Sequence, residues 1–105
     1  MYPKLVRDNI PDIITSDNNT VVYRKLLDDD EYKEYLNNKL LEEVAEYMNE
    51  SNTESIKEEL VDILEVVYTI GKLYNISEVD LNNGRNYKTH IKGNFSKRIL
   101  IEEVK

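Results

Sequence analysis

The chain has no cysteine and no tryptophan, and its 105 residues include only three glycines, two prolines, one phenylalanine and one histidine. Each shortage removes a class of chemistry. Without cysteine there is no disulfide framework, no thiolate nucleophile and no zinc–thiolate site. His90 stands alone, with no nucleophile context for a Ser–His–Asp arrangement, and the role of a surface or packing residue suits it. Three scattered glycines make no phosphate-cradling loop. No apolar run approaches the roughly 18 residues of a transmembrane helix, and the opening MYPKLVRDNIPDII lacks the apolar stretch of a signal peptide. Positive charge is also short: 14 Lys and Arg stand against 21 Asp and Glu, a net charge of −7. A binder of nucleic-acid polymers needs a basic stripe to displace counterions, so that class is disfavoured. A nucleotide ligand is not, because a bound divalent cation reverses the local field. The expectation is a cytoplasmic protein that works neither on a membrane nor on nucleic acid.

What is present is a helix-former's composition. The charged fraction of 33% exceeds the usual quarter, as wet helix faces require. The length suits one domain over residues 1–105 with a modest core, which a second copy would complete as a homodimer or homotetramer.

The most informative stretch is Leu40 to Glu65, LLEEVAEYMNESNTESIKEELVDILE. At about 100° per residue, Glu42, Glu43 and Glu46 fall within one arc of a helix, with Lys39 inside it. Glu58, Glu59, Asp62 and Glu65 form a second acidic arc on the next helical pattern. The polar stretch Asn49 to Thr53 separates the two and suits an αα-hairpin. In an antiparallel pair the carboxylates of one helix can face those of the other, a donor set for a hard cation such as Mg²⁺. The alternative is plainer. Leu36, Leu40, Leu41, Val44, Tyr47 and Met48 lie roughly opposite the first arc, and Ile56, Leu60, Ile63, Leu64, Val67 and Tyr74 opposite the second. Each arc is then the solvated face of an amphipathic helix. Two details weigh toward the metal. Solvated faces mix signs, whereas Glu42–Glu46, Glu46–Glu50 and Glu58–Asp62 are like-charged four apart. The arrangement also appears on both helices in succession.

Elsewhere the pattern predicts a short helix with Pro11 in its first turn, a loop at Ser16–Thr20, and a strand at Thr20–Arg24, where β-branched and aromatic residues collect. Asp28 to Asp30 cap a first long helix running to Asn49. Thr53 is the candidate N-cap of a second, reaching about Tyr74, with Gly71 a tolerated weak point. Ser77 caps a third, carried across Asn82-Asn83-Gly84 to about Ile91. Lys92-Gly93-Asn94 turns the chain into a closing strand at Ser96–Ile101, which can pair with the first strand. The fold class is therefore mainly α, a helical bundle with a small two-stranded β element. Arg85, Lys88, Lys92, Lys97 and Arg98 gather positive charge near the end, either as a wet face with edge-strand gatekeepers or as a clamp for phosphates. Tyr47, Tyr68 and Tyr74 fall on apolar faces, where they can pack with their hydroxyls at the rim. One of the eight tyrosines, or Phe95, could instead stack on a base.

At these residues a family resemblance becomes visible. Glu42-Glu43-x-x-Glu46, twelve residues, then Glu59-x-x-Asp62 resembles the EExxE…ExxD signature of the MazG-like, all-α nucleoside triphosphate pyrophosphohydrolases, a superfamily that includes phosphoribosyl-ATP pyrophosphohydrolase. Lys4 to Pro11, KLVRDNIP, is similar to the KLVRDKIP opening of a small MazG-like subgroup. Lys88-x-x-x-Lys92-Gly93-x-Phe95-x-Lys97-Arg98-Ile99 is similar to its K…RGGFxKRI close. Asn9, Lys92 and Asn94 depart from the subgroup's Lys, Arg and Gly. The resemblance implies an all-α bundle completed by a partner subunit, and hydrolysis of a nucleoside triphosphate, a dNTP or non-canonical NTP, to monophosphate and pyrophosphate. It implies Mg²⁺, with Mn²⁺ as a substitute, held by Glu43, Glu46, Glu59 and Asp62. Glu42 and Glu58 would reach a second ion or orient the attacking water, so Glu42, Glu43, Glu46 and Glu58 make up the catalytic set. Lys39, Lys88 and Lys92 would contact phosphates, with Arg98 beside them. Two other readings stay open: phosphoribosyl-ATP as substrate, and a non-catalytic helical module that binds a nucleotide or a protein.

Overall fold

The computed structural model describes residues 2–105 and contains four helices: α1 (Ile10–Ser16), α2 (Asp29–Asn49), α3 (Thr53–Leu73) and α4 (Glu78–Lys92). Local chemistry sets their limits. Asp28 accepts a hydrogen bond from the Glu31 amide at 2.9 Å, and Asp29, Asp30 and Glu31 fill the first turn of α2, where the helix dipole favours negative charge. The cap of α3 is Asn52 rather than the expected Thr53. Its Oδ1 accepts from the amides of Glu54 and Ser55 at 3.0 and 3.2 Å, and so satisfies two of the free donors at once. Ser77 and Asp80 form a reciprocal capping box at the start of α4. With its start fixed in this way, α4 runs through Asn82-Asn83-Gly84 without a break and ends at Gly93, whose φ of 82° suits glycine.

The pair α2–α3 is the body of the protein. Glu43 and Glu46 meet Glu59 toward the connecting loop, and the Lys33 ammonium lies 5.5 Å from the Tyr74 ring at the other end, so the two helices run antiparallel. α4 packs on α3, with the Tyr68 hydroxyl donating to Asn82 Oδ1 at 3.1 Å. Gly71 is more than a tolerated weak point in that turn. A Cβ there would lie 2.9 Å from the Ile76 carbonyl oxygen and 3.1 Å from Leu81 Cδ1, so the chain can fold back from α3 into α4 only with glycine at this position.

The hydrophobic core is small. Leu36 and Val66 are its buried apolar side chains among the described residues, at 2% and 8% exposure. Leu41, Met48, Leu60 and Leu64, all expected on the inward stripes, are exposed, whereas Glu43 occupies the seam between the helices. The inward face of α2 thus lies closer to the acidic arc than the apolar pattern suggests. The radius of gyration of 17.8 Å exceeds the roughly 13 Å of a closed domain of this size, and the molecule measures 61 × 35 × 25 Å.

The two expected strands are not formed: no strand occurs among the described residues. Thr20–Arg24 and Ser96–Ile101 are irregular, with Val22, Leu100 and Ile101 exposed. β-branched residues favour strands when a pleated surface is available to pack them, and these two runs find neither that surface nor each other.

Candidate metal centre

The spacing of the acids on α2 and α3 carries them to the helix seam. Glu43 projects from α2 into the interface and is buried at 5% exposure, an expensive place for a carboxylate unless a cation offsets it. Glu46, one turn on, and Glu59, across on α3, place carboxylate oxygens so that the three groups lie within 4.8 Å of one another. Two oxygens in this cluster, Glu43 Oε2 and Glu59 Oε2, are shut off from solvent and have no hydrogen-bond partner. Buried polar atoms are nearly always satisfied, so these two acceptors call for a shared proton or a bound cation. Hard divalent ions prefer such oxygen-only donors, and these three glutamates could hold one.

The electrostatics agree. Burial pushes the Glu59 carboxyl up to about 7, and the adjacent Glu43 and Glu46 carboxyls, by hydrogen bonding and repulsion, push in the same direction. The nearest positive charge is Lys39, whose Nζ lies 3.4 Å from Glu43 Oε1 and 3.5 Å from Glu42 Oε1, a loose sharing between two acids one residue apart.

Three of the four expected metal ligands are therefore brought together: Glu43, Glu46 and Glu59. The fourth, Asp62, lies one turn beyond Glu59 but is engaged elsewhere, its Oδ1 accepting a 2.7 Å hydrogen bond from Arg7 Nη2. Glu42 is half-buried beside Lys39, and Glu58 is exposed on α3 outside the cluster. Of the expected phosphate contacts, only Lys39 is at the site. Lys88 and Lys92 are exposed on α4 and Arg98 follows that helix; none of them pairs with the cluster or lines the space beside it.

That space is a cavity of about 800 Å³, open to solvent, between the N-terminal segment and the α2–α3 pair. Glu43 and Asp62 form part of its wall, and its cations are Lys4, Arg7, Lys39 and Lys72. Lys4 and Arg7 lie outside the helices, so no helical spacing links them to the acids, whereas Lys72 continues the α3 face of Asp62, Glu65 and Thr69 and was legible from that spacing. The one signal of Lys4 and Arg7 was the compact Lys4-Leu5-Val6-Arg7-Asp8 opening, whose position over α3 is set only by tertiary structure.

The raised Glu59 carboxyl makes a prediction about the cation-free protein. Between the usual carboxylate range and about 7, the folded state holds a proton that the unfolded chain has released, so folding stability falls as pH rises through that window. In EDTA, thermal melts of the wild type should show a midpoint that declines as pH is raised from about 5 to about 8. Glu59→Gln should lose most of that decline and melt above the wild type at the alkaline end. Parallel profiles for the two proteins would show that Glu59 does not titrate in this way.

No protein-family model matches the chain, and no curated protein or solved structure matches it.

Proposed function

We propose that this chain is a Mg²⁺-dependent nucleoside triphosphate pyrophosphohydrolase of the MazG-like type, with Mn²⁺ able to substitute, acting on free nucleotides in the cytoplasm. One observation carries the reading: the buried Glu43, with its orphaned Oε2, converges with Glu46 and Glu59 beside a cavity that also holds four cationic side chains. An acidic centre alone would suit any hard-cation protein. The lysines and arginine of the cavity, set among Asp8, Glu43, Asp62 and Glu65, suit a ligand that brings a metal to the acids and phosphates to the bases, as a metal-bound triphosphate does.

Mg²⁺ held at the cluster supplies Lewis acidity, neutralising charge on the triphosphate and activating water. The remaining chemistry belongs to side chains. Water adds to one phosphorus of the α–β bridge, the bond from that phosphorus to the bridging oxygen breaks, and monophosphate and pyrophosphate separate. Glu42, beside the cluster and loosely held by Lys39, orients the water and accepts its proton. Lys39, 3.4 Å from Glu43 Oε1 and on the cavity wall, would offset the charge on the departing group. No covalent nucleophile is required, in keeping with a chain that has no cysteine.

The assembly is part of the proposal. Leu41 and Met48 on α2 and Leu60 and Leu64 on α3 are exposed, apolar surface that association of copies would cover. A second copy covers that surface, and Lys88, Lys92 or Arg98 can reach a neighbour's site that they do not reach in their own chain.

Two measurements check these statements. Pyrophosphate release from a panel of canonical and modified NTPs and dNTPs should require Mg²⁺ and stop in EDTA, and Glu43→Gln should lower it at least about 100-fold. Equal turnover by Glu43→Gln, or silence across the panel with phosphoribosyl-ATP included, would remove the hydrolase reading. Sedimentation equilibrium should give a mass of two or four chains, against 12.4 kDa for one; a monomer at micromolar concentration would remove the assembly.

A further inference from the structure

Arg7 donates a hydrogen bond to Asp62, but the way it does so is unusual for this protein. Its Nη2 makes a single contact of 2.7 Å with Oδ1. By contrast, Arg24 grips Glu31 through both terminal nitrogens, at 2.9 Å each, away from the cavity lining. A one-point pair between groups that remain 54% and 39% exposed is held weakly and breaks at little cost. Arg7 also lines the cavity, together with Lys4, Lys39 and Lys72, and its other guanidinium nitrogens have no partner among the described residues. Asp62, for its part, sits one helical turn from Glu59 on the acidic arc of α3 and, like Glu58 and Glu65, is outside the three-glutamate cluster.

We propose that Arg7 is an exchange residue. In the cation-free protein it occupies Asp62; when a divalent cation enters the glutamate cluster, Asp62 turns to the cation and Arg7 is released into the cavity, where it takes an anionic phosphoryl group of the ligand. The exchange rests on the hydrolase reading above, and it couples the two binding events through one side chain. Lys4, Lys39 and Lys72 line the same cavity as Arg7, so a guanidinium turned from Asp62 joins three ammonium groups able to contact phosphoryl oxygens. Arginine is the residue for this task, since its planar fork can grip two phosphoryl oxygens that a single carboxylate contact leaves free. Arg7 is a substrate-positioning residue in this account, separate from the acids that bind the cation.

The test uses Mg²⁺ alone and inorganic pyrophosphate as probes, each titrated calorimetrically into the full chain, with no turnover involved. Arg7→Ala removes the competitor for Asp62, so Mg²⁺ alone should bind about two- to five-fold more tightly. At saturating Mg²⁺ the same variant should bind pyrophosphate about ten-fold more weakly or worse. The opposite signs are the signature, since damage to the fold would weaken both. Arg7→Gln should reproduce the pattern if Arg7→Ala does not fold. In the Asp62→Asn background, removing Arg7 should no longer tighten Mg²⁺. Unchanged binding of either probe, or weakening of both in a folded variant, would overturn the exchange and leave the hydrolase reading intact. Failure of the wild type to bind Mg²⁺ at all would instead bring down that reading and the exchange with it.

Discussion

The burial of one carboxylate between two helices is the constraint on which the rest of this structure turns. Glu43 lies in the α2–α3 seam where an apolar side chain would be expected, and its Oε2 has no partner. A protein with only two buried apolar residues among those described has little stability to spare for such a placement. Lys39, 3.4 Å from Glu43 Oε1, offsets its charge, and the raised carboxyl of the opposing Glu59 lessens repulsion across the seam. The same feature fits both a stable resting protein and a site that gains by taking up a divalent ion.

Around that seam the chain arranges its other charges so that none is locked in place. Lys39 is divided between Glu42 and Glu43 at distances near the limit of an ion pair, and Arg7 holds Asp62 at one point. Tight, buried, bidentate pairs would have made the centre inert. Loose ones leave the acids open to a cation and the bases open to an anion, which is the electrostatic logic of the proposed metal–triphosphate ligand. The exposure of Leu41, Met48, Leu60 and Leu64 belongs to the same economy of size, since a chain of 105 residues that places acids in its seam has less of that seam to fill with hydrocarbon.

Much of this was legible from residue order, and the reasons differ by element. Asp28, Ser77 and the 3.6-residue periodicity fixed α2 and α4 because capping and dipole effects act within a single turn. Glu43, Glu46 and Glu59 could be placed together because two helices joined by a short loop have one practical way to pack. The strands at Thr20–Arg24 and Ser96–Ile101 were misread because β-propensity reports on a neighbouring surface that the sequence cannot reveal. Leu41 and Met48 would face inward only if the acidic arc were the solvated face; they are exposed because α2 is turned so that Glu43 enters the seam. Arg7 was missed as a site residue because its link to Asp62 spans 55 positions and follows no periodic pattern.

The most direct test of the central claim is a Mn²⁺ titration followed by electron paramagnetic resonance, in which free Mn²⁺ gives a sharp signal that is lost on binding. The account predicts saturable loss of that signal with the wild type, its recovery on adding Mg²⁺, and little loss with Glu43→Gln or Glu59→Gln. An undiminished Mn²⁺ signal with folded wild-type protein would contradict it, and would leave the buried glutamates as a structural feature without a cation to explain them.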